Sequence, residues 1–233
     1  MNNIGSLNEQ PLHASLKKWY AGDAGRVEVL IDGFVVDVFK GNTIIEIQTG
    51  NFSSIKSKIK YLSSKYNLKL IYPIAGEKWL LKYPNIKSGE STKRKSPKNG
   101  TKTEIFAELV SFPELLCLER FSLEIAMIKE QEVRVYTGER PWRQRGWITV
   151  ERQLLDVLET HTFKKPGDLA YLLPEELPDQ FTTRDIAHHG KITRWLAQKM
   201  AYCLRGMGAI EQIGKNGRSN LYARKIGKGA LKE

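Results

Sequence analysis

The chain has 233 residues, of which 41% are hydrophobic and 27% are charged, the proportions of an ordinary globular protein. Lysine and arginine number 37 against 26 acidic residues, so the net charge is +11, which favours a polyanionic partner over mere solubilising charge. The sequence shows no signal peptide, no membrane-spanning run and no cysteines at disulfide or zinc spacing, and we therefore expect a cytoplasmic protein without membrane contact.

The first part of the sequence alternates between helix and strand patterns. A stripe of apolar residues at helical spacing predicts a helix over residues 8–20. Tight-turn signals at Asp32-Gly33 and Lys40-Gly41-Asn42 then separate three predicted strands. Those strands span residues 26–31, 34–39 and 43–48, and a helix over 51–65 and strands at 68–74 and 78–82 follow. This order predicts an α/β domain with a mixed sheet flanked by helices.

The composition changes between residues 86 and 102, which are rich in lysine, serine and glycine. Such a segment cannot bury a core, so it is predicted to be a loop, either simply solvated or acting as an arm that contacts phosphates. A helix over 103–116, a long strand or hairpin over 121–136 and a linker over 137–146 are predicted next. We therefore place the first domain at residues 1–140.

A second domain is predicted at residues 147–233. It begins with a predicted helix at 149–158 and short helical or turn segments at 166–177. A capping-box pattern from Thr182 to Asp185 predicts the start of a short helix that ends near His188. A longer helix over 193–207 and a hairpin over 209–225 complete the predicted domain.

Two acidic residues interrupt the apolar patterns of neighbouring predicted strands. Side chains alternate along a strand, so Glu46 and Gln48 share a face, and a short turn between the strands can bring Asp37 close to them. Two carboxylates that lie close together repel, so their convergence indicates a bound divalent cation. A ligand set made only of oxygen atoms suits Mg²⁺ or Mn²⁺ better than zinc.

These residues resemble a known catalytic motif. Asp37, eight intervening residues and then Glu46-Ile47-Gln48 resemble the D…(D/E)-X-K core of the PD-(D/E)XK superfamily of restriction-endonuclease-like nucleases. Glu9 matches an acidic residue that many members carry on the first helix. The resemblance covers roughly the first third of the chain. It implies a restriction-endonuclease-like sheet, metal-ligand roles for Asp37 and Glu46, and a supporting metal or water role for Glu9.

Two positions depart from that motif. Val36 stands in place of the motif's proline, and Gln48 stands in place of its lysine. Glutamine cannot serve as a cation or as a base, but it can hold a water molecule through hydrogen bonds. Lys56, on the next predicted helix, is an alternative source of the missing positive charge. The competing interpretation is a nuclease fold that is retained as a scaffold without catalysis.

The C-terminal segment from Phe181 to Lys225 resembles a winged helix-turn-helix. Residues 181–233 contain 11 basic and 3 acidic residues, so this segment carries +8 of the total charge of +11. The residues predicted to face outward and donate to DNA lie on the longer helix and at the tip of the wing. They are Thr193, Arg194, Gln198, Lys199, Tyr202, Arg205, Lys215 and Arg218.

Together these features predict an endonuclease that hydrolyses DNA phosphodiester bonds with Mg²⁺ or Mn²⁺ and holds its substrate with the winged helix. The principal alternative is a non-catalytic DNA-binding regulator with a degenerate nuclease fold. RNA as the substrate and a protein as the partner of the winged helix are weaker alternatives. The sequence leaves the oligomeric state open, a homodimer included.

Overall fold

The computed structural model describes residues 11–84, 89–138 and 146–225 of a mixed α/β protein. The chain divides into two compact units, each built from three segments. Unit 1 comprises Met1–Thr49, Pro73–Thr101 and Ile125–Thr160, and unit 2 comprises Gly50–Tyr72, Lys102–Glu124 and His161–Glu233. Within the described ranges, no helix is both long and apolar enough to cross a membrane.

The described residues form five α-helices and ten strands. The helices are α1 (Pro11–Ala21), α2 (Phe52–Ser63), α3 (Phe106–Leu109), α4 (Thr183–His189) and α5 (Arg194–Gly206). The strands are β1 (Arg26–Ile31), β2 (Phe34–Lys40), β3 (Thr43–Ile47), β4 (Asn67–Tyr83), β5 (Thr92–Lys95), β6 (Phe121–Tyr136), β7 (Trp147–Phe163), β8 (Gln180–Phe181), β9 (Ile210–Asn216) and β10 (Ser219–Arg224).

Seven strands form the larger sheet, in the order β1-β2-β3-β4-β6-β7, with β5 paired to β4. The first three strands form consecutive antiparallel hairpins. Asp32 (φ 49°) and Gly33 (φ 83°) form the turn between β1 and β2, where both central residues need a positive φ. Helix α1 is described from Pro11 onward and ends before Gly22. The predicted first helix and three strands are therefore confirmed from residue 11 onward, and Glu9 lies outside the described residues.

Three sequence-based predictions between residues 67 and 117 need correction. One continuous strand, β4, replaces the two strands predicted at 68–74 and 78–82. The loop predicted over 86–102 contains strand β5, which pairs antiparallel with β4 and is exposed along its whole length. The helix predicted over 103–116 is reduced to α3 with a 3₁₀ turn on either side. Pro113 prevents one helix from continuing to residue 116, because proline disfavours helical backbone at the residue before it.

The helix predicted at residues 149–158 is wrong, because β7 runs through this segment. Its leucines repeat at helical spacing, yet its polar side chains bind residues of β6. Arg152 donates to Glu130 Oε2 over 2.6 Å, and Gln131 Nε2 donates to Gln153 Oε1 over 2.9 Å. Such cross-strand pairs stabilise a strand and outweigh a weak helix preference. Residues 147–163 therefore form a strand of the larger sheet.

The last part of unit 2 agrees with the predicted elements. The hydroxyl of Thr182 accepts from the backbone of Arg184, and the Asp185 carboxylate accepts from the Thr182 backbone, which together cap α4. Helix α5 buries one apolar face that includes Met200 and Leu204, and it packs against α3 and α4. Strands β8, β10 and β9 form a three-stranded antiparallel sheet in that order. The three-stranded sheet and helix α4 thus hold α5 beside the β9–β10 hairpin.

Candidate functional site

Three acidic residues of unit 1 lie in one row across β1, β2 and β3, and we call them the acidic row. Glu28 and Asp37 lie between the flanking pairs Val27–Val38 and Val29–Val36 of β1 and β2, so they are opposite each other on the two strands. The register of β2 and β3, continued by one residue, places Asp37 opposite Glu46. Residues that lie opposite one another on neighbouring strands project from the same face of a sheet. Asp37 and Glu46 therefore project from the same face of the larger sheet.

Helix α1 supplies two basic side chains to the acidic row. Lys17 Nζ donates to Glu28 Oε1 over 2.8 Å. His13 Nε2 lies 3.0 Å from the carbonyl oxygen of Ile47 and 3.3 Å from Asp37 Oδ2. Because a carbonyl oxygen can only accept, this geometry requires a proton on Nε2 of His13. The backbone N–H of Ile47 also donates to Asp37 Oδ2, over 2.8 Å, so the Asp37 carboxylate is held from two sides.

The acidic row is largely shielded from solvent at its inner end. Glu46 is only 4% exposed, and Lys17 on the helix above the sheet is 6% exposed. Charges at this depth interact more strongly than charges in water, because fewer water molecules screen them. The acidic row therefore combines carboxylate oxygens with hydrogen-bond donors that the fold holds in place, and its inner end is largely shielded from solvent.

The donor set has the chemistry of a Mg²⁺ or Mn²⁺ site, since Asp37 and Glu46 offer only carboxylate oxygens. Among the residues that the structure describes, however, no group of three or more His, Cys, Asp or Glu side chains is arranged to hold a metal ion. Glu9, the third acid that the sequence predicts, is not among them. The described part of the chain thus supplies two of the predicted ligands.

The other two predicted catalytic residues lie in different surroundings. Gln48 directly follows β3 in unit 1 and is half-buried. Lys56 belongs to α2 in unit 2, where its Nζ lies 3.3 Å from Glu114 Oε1 and 4.9 Å from the centre of the Phe112 ring. Within unit 2, the charge of Lys56 is therefore engaged by a carboxylate and an aromatic ring.

The sequence analysis did not single out His13, Lys17 or Glu28. The spacing of His13 could have identified it as a candidate. It follows Glu9 by four residues, and residues four apart share one face of a helix. The signal for Glu28 is the two-residue turn at Asp32-Gly33, which fixes the hairpin register and hence the partner of each residue.

A second candidate site lies in unit 2, between α5 and the β9–β10 hairpin. It is an open cavity of about 370 Å³, and we call it the basic cavity. Its lining residues are Thr183, Arg194, Gln198, Tyr202, Arg205, Arg218, Ser219, Asn220 and Tyr222. Five of the eight predicted DNA-binding residues are in this set, and four of them form a single stripe along α5. The lining contains three guanidinium groups and no carboxylate.

Amide side chains connect the hairpin to α5 beside the basic cavity. Arg205 Nη1 donates to Gln212 Oε1, Gln212 Nε2 donates to Asn220 Oδ1, and Asn220 Nδ2 donates to the Tyr222 hydroxyl, each over 3.3 Å. This chain of hydrogen bonds restrains the Arg205 guanidinium. Arginines restrained in this way can bind phosphate oxygens or the edges of bases.

The remaining predicted DNA-binding residues lie outside the lining of the basic cavity. The Thr193 hydroxyl accepts from the backbone N–H of Leu196 over 3.2 Å, so it caps α5. Lys199 Nζ lies 4.6 Å from the centre of the Trp195 ring, which is itself 58% exposed. Lys215 is an exposed residue of β9.

Comparison with known proteins gives one family and one relative of the whole chain. The family described as a domain of unknown function, DUF8091, matches residues 10–164, from just before α1 to just after β7. A protein of Treponema pallidum (strain Nichols), described as uncharacterized, is 30% identical over 220 residues. That alignment covers 94% of this chain and 86% of the relative. No solved structure matches the chain.

Proposed function

The chain belongs to the DUF8091 family, and we propose that it is a metal-dependent deoxyribonuclease that holds DNA with a C-terminal winged helix-turn-helix. The observation that carries the proposal is the placement of Asp37 opposite Glu46 on adjacent antiparallel strands. This is the arrangement that the resemblance to PD-(D/E)XK nucleases requires, with both carboxylates on one face of the sheet.

The basic cavity supports DNA as the substrate. Arg194, Arg205 and Arg218 are separate cations on two elements, and Gln198 can both donate to and accept from a base edge. The strand order β8-β10-β9 around α4 and α5 is the order expected of a winged helix-turn-helix. In this fold α5 would lie in the major groove, and the β9–β10 wing would contact the backbone.

Asp37 and Glu46 would hold the divalent cation, and Glu9 is the third proposed ligand. When bound, Mg²⁺ or Mn²⁺ supplies Lewis-acid stabilisation of the phosphate and lowers the pKa of an attacking water. The chain's own groups then do the positioning. His13 and the N–H of Ile47 hold the Asp37 carboxylate in place. Gln48, two residues beyond Glu46, would orient the water through its amide.

One observation favours a second candidate, a non-catalytic DNA-binding regulator. Asp37 Oδ2 already accepts a hydrogen bond from Ile47 and lies beside His13. With these contacts the acidic row could serve only to link helix α1 to the sheet through hydrogen bonds and charge. The basic cavity would then be the whole of the functional surface.

Cleavage assays distinguish the two candidates. We expect the protein to cut linear, branched or single-stranded DNA in the presence of Mn²⁺. Asp37→Ala and Glu46→Ala should reduce cleavage to background because each removes a proposed ligand, while the DNA affinity should stay within about twofold, since the basic cavity is untouched. Calorimetric titration should show Mn²⁺ binding that Asp37→Ala abolishes.

Asp23→Ala is the matched control, because it removes an exposed carboxylate between α1 and β1 that is not part of the acidic row. It should cut and bind like the unmodified protein. Normal cleavage by both acidic-row variants would disprove the catalytic assignment. DNA binding by a protein that neither cuts DNA nor binds Mn²⁺ would establish the regulator instead.

A further inference from the structure

A group of cations and aromatic rings lies on unit 1. None of its residues belongs to the acidic row or to the basic cavity. We call it the Lys82 patch, and it consists of Lys82, Arg94, Arg134, Tyr136 and Trp147. Lys82 Nζ lies 4.6 Å from the centre of the Trp147 ring, whose own centre is 5.5 Å from that of Tyr136. The patch thus joins strands β4, β5, β6 and β7.

The acids next to the patch are already neutralised by Lys78, Arg152 and one patch member, Arg134. Glu130 is fully buried, with Lys78 Nζ at 2.8 Å and Arg152 Nη2 at 2.6 Å from its oxygens. Glu132 is bound by Arg134 Nε at 2.8 Å and by Lys78 Nζ at 3.3 Å. The two carboxylates are therefore balanced by three cations, which are Lys78, Arg134 and Arg152. Lys82 and Arg94 are not needed to neutralise them.

Lys82 and Arg94 remain as excess positive charge. In the described ranges, neither side chain forms an ion pair with an acidic residue within 4.0 Å. Burial, followed by the charges of Arg94 and Arg134, lowers the pKa of the Lys82 ammonium, which agrees with cations that lie close together. The register of β4 and β5 places Arg94 beside Lys82 on neighbouring strands, and a bound anion would offset the repulsion between like charges there.

The aromatic rings indicate which kind of polyanion fits. Tyr136 is 48% exposed, so much of its ring is open to solvent. Cations that follow a sugar-phosphate backbone, beside rings on which bases can stack, are the combination by which proteins hold unpaired strands. A duplex keeps its bases stacked inside and would leave these rings unused.

We propose that the Lys82 patch binds single-stranded DNA. The cations contact the phosphates, and the ring of Tyr136 stacks against a base. The identity of the polymer as DNA rests on the function proposed above, whereas the preference for an unpaired strand rests on the patch alone. A strand held here and a duplex held in the basic cavity would be two separate contacts of one protein.

Fluorescence anisotropy with labelled oligo(dT) and a labelled duplex tests the proposal on the full-length chain. The double variant Lys82→Ala/Arg94→Ala should weaken oligo(dT) binding about tenfold and lower its salt slope by about 1.4, since each contact to a single strand contributes about 0.7. Tyr136→Ala should weaken the same binding about fivefold or more. Duplex binding should change little in these variants, and Arg194→Ala/Arg205→Ala should show the opposite pattern.

Lys95→Ala is the matched control, because Lys95 lies next to Arg94 on β5 but is paired with Glu77 at 2.9 Å. It removes one positive charge from the same strand and should leave oligo(dT) binding unchanged. Equal losses in Lys95→Ala and in the double variant, or unchanged oligo(dT) binding by a folded double variant, would overturn the proposal. Failure of DNA cleavage alone would count against the nuclease and leave this result intact.

Discussion

Glu132 shows how a buried carboxylate is kept charged in unit 1. It is 6% exposed, and burial alone would raise its pKa. The hydrogen bonds from Arg134 and Thr149 and the charges of Lys78 and Arg134 outweigh burial and lower the pKa of Glu132 to about 2. Its environment therefore favours the ionised form throughout the neutral range.

This depressed pKa makes the stability of the protein sensitive to acid. A carboxyl whose pKa is lower in the folded state stabilises that state above its unfolded pKa, and this stabilisation is lost as the pH falls towards about 2. We expect Glu132→Gln to lower the free energy of unfolding at pH 7 by at most about 3 kcal/mol and to flatten its decline below pH 4.5. Urea unfolding at a series of pH values measures both quantities.

Glu77→Gln is the control for this prediction. Glu77 is also paired with a lysine, Lys95, but its side chain is 35% exposed and solvent screens the pair. Its substitution should alter stability little at any pH. Equal effects of the two substitutions would show that the burial of Glu132 adds nothing to the interaction.

At the level of whole elements, the cap of α5 can be tested apart from DNA contact. Thr193 was predicted to face DNA, and its hydroxyl accepts from the first turn of α5. Thr193→Ala should destabilise the protein by about 1 kcal/mol, because it leaves a helix N–H without its acceptor, while Thr193→Ser should be close to neutral. Thermal unfolding without DNA measures this difference, and equal losses in the two variants would contradict the capping role.

The first two hairpins could be predicted from the local sequence. The two-residue turn at Asp32-Gly33 demands positive φ and fixes which residues lie opposite one another on β1 and β2. The next tight turn does the same for β2 and β3, so the local sequence already indicates that Asp37 lies within reach of Glu46. This part of the candidate site was predictable because its geometry depends on neighbours in sequence.

The strand β7 could not be derived in that way. Leu154, Leu155 and Leu158 repeat as they would on a helix, and only partners on β6 make the segment extended. Those partners lie about twenty residues away, so a local pattern carries no trace of them. The contact of His13 with Asp37 escaped prediction for the same reason, since it depends on how α1 packs against the sheet.

Across the whole molecule, the positive charge is unevenly distributed. Residues 181–233 carry +8 of the net +11, and three arginines of this segment line the basic cavity. If they contact phosphates, the affinity for duplex DNA should fall steeply as salt rises, because binding releases condensed counterions. Arg194→Ala and Arg205→Ala should each reduce the slope of log affinity against log salt by about 0.9.

Lys164→Ala provides the comparison, because Lys164 is exposed in unit 2 and does not line the basic cavity. Titrations at several salt concentrations should give it the slope of the unmodified protein. A slope that Arg194→Ala and Arg205→Ala leave unchanged would point to a protein, rather than DNA, as the partner of α5.

The chain passes between its two units five times, at residues 49–50, 72–73, 101–102, 124–125 and 160–161. Neither unit can therefore be obtained as one uninterrupted polypeptide, and any truncation removes material from both or leaves one incomplete. Deletion fragments, the usual means of assigning activities to modules, would here confuse loss of folding with loss of function.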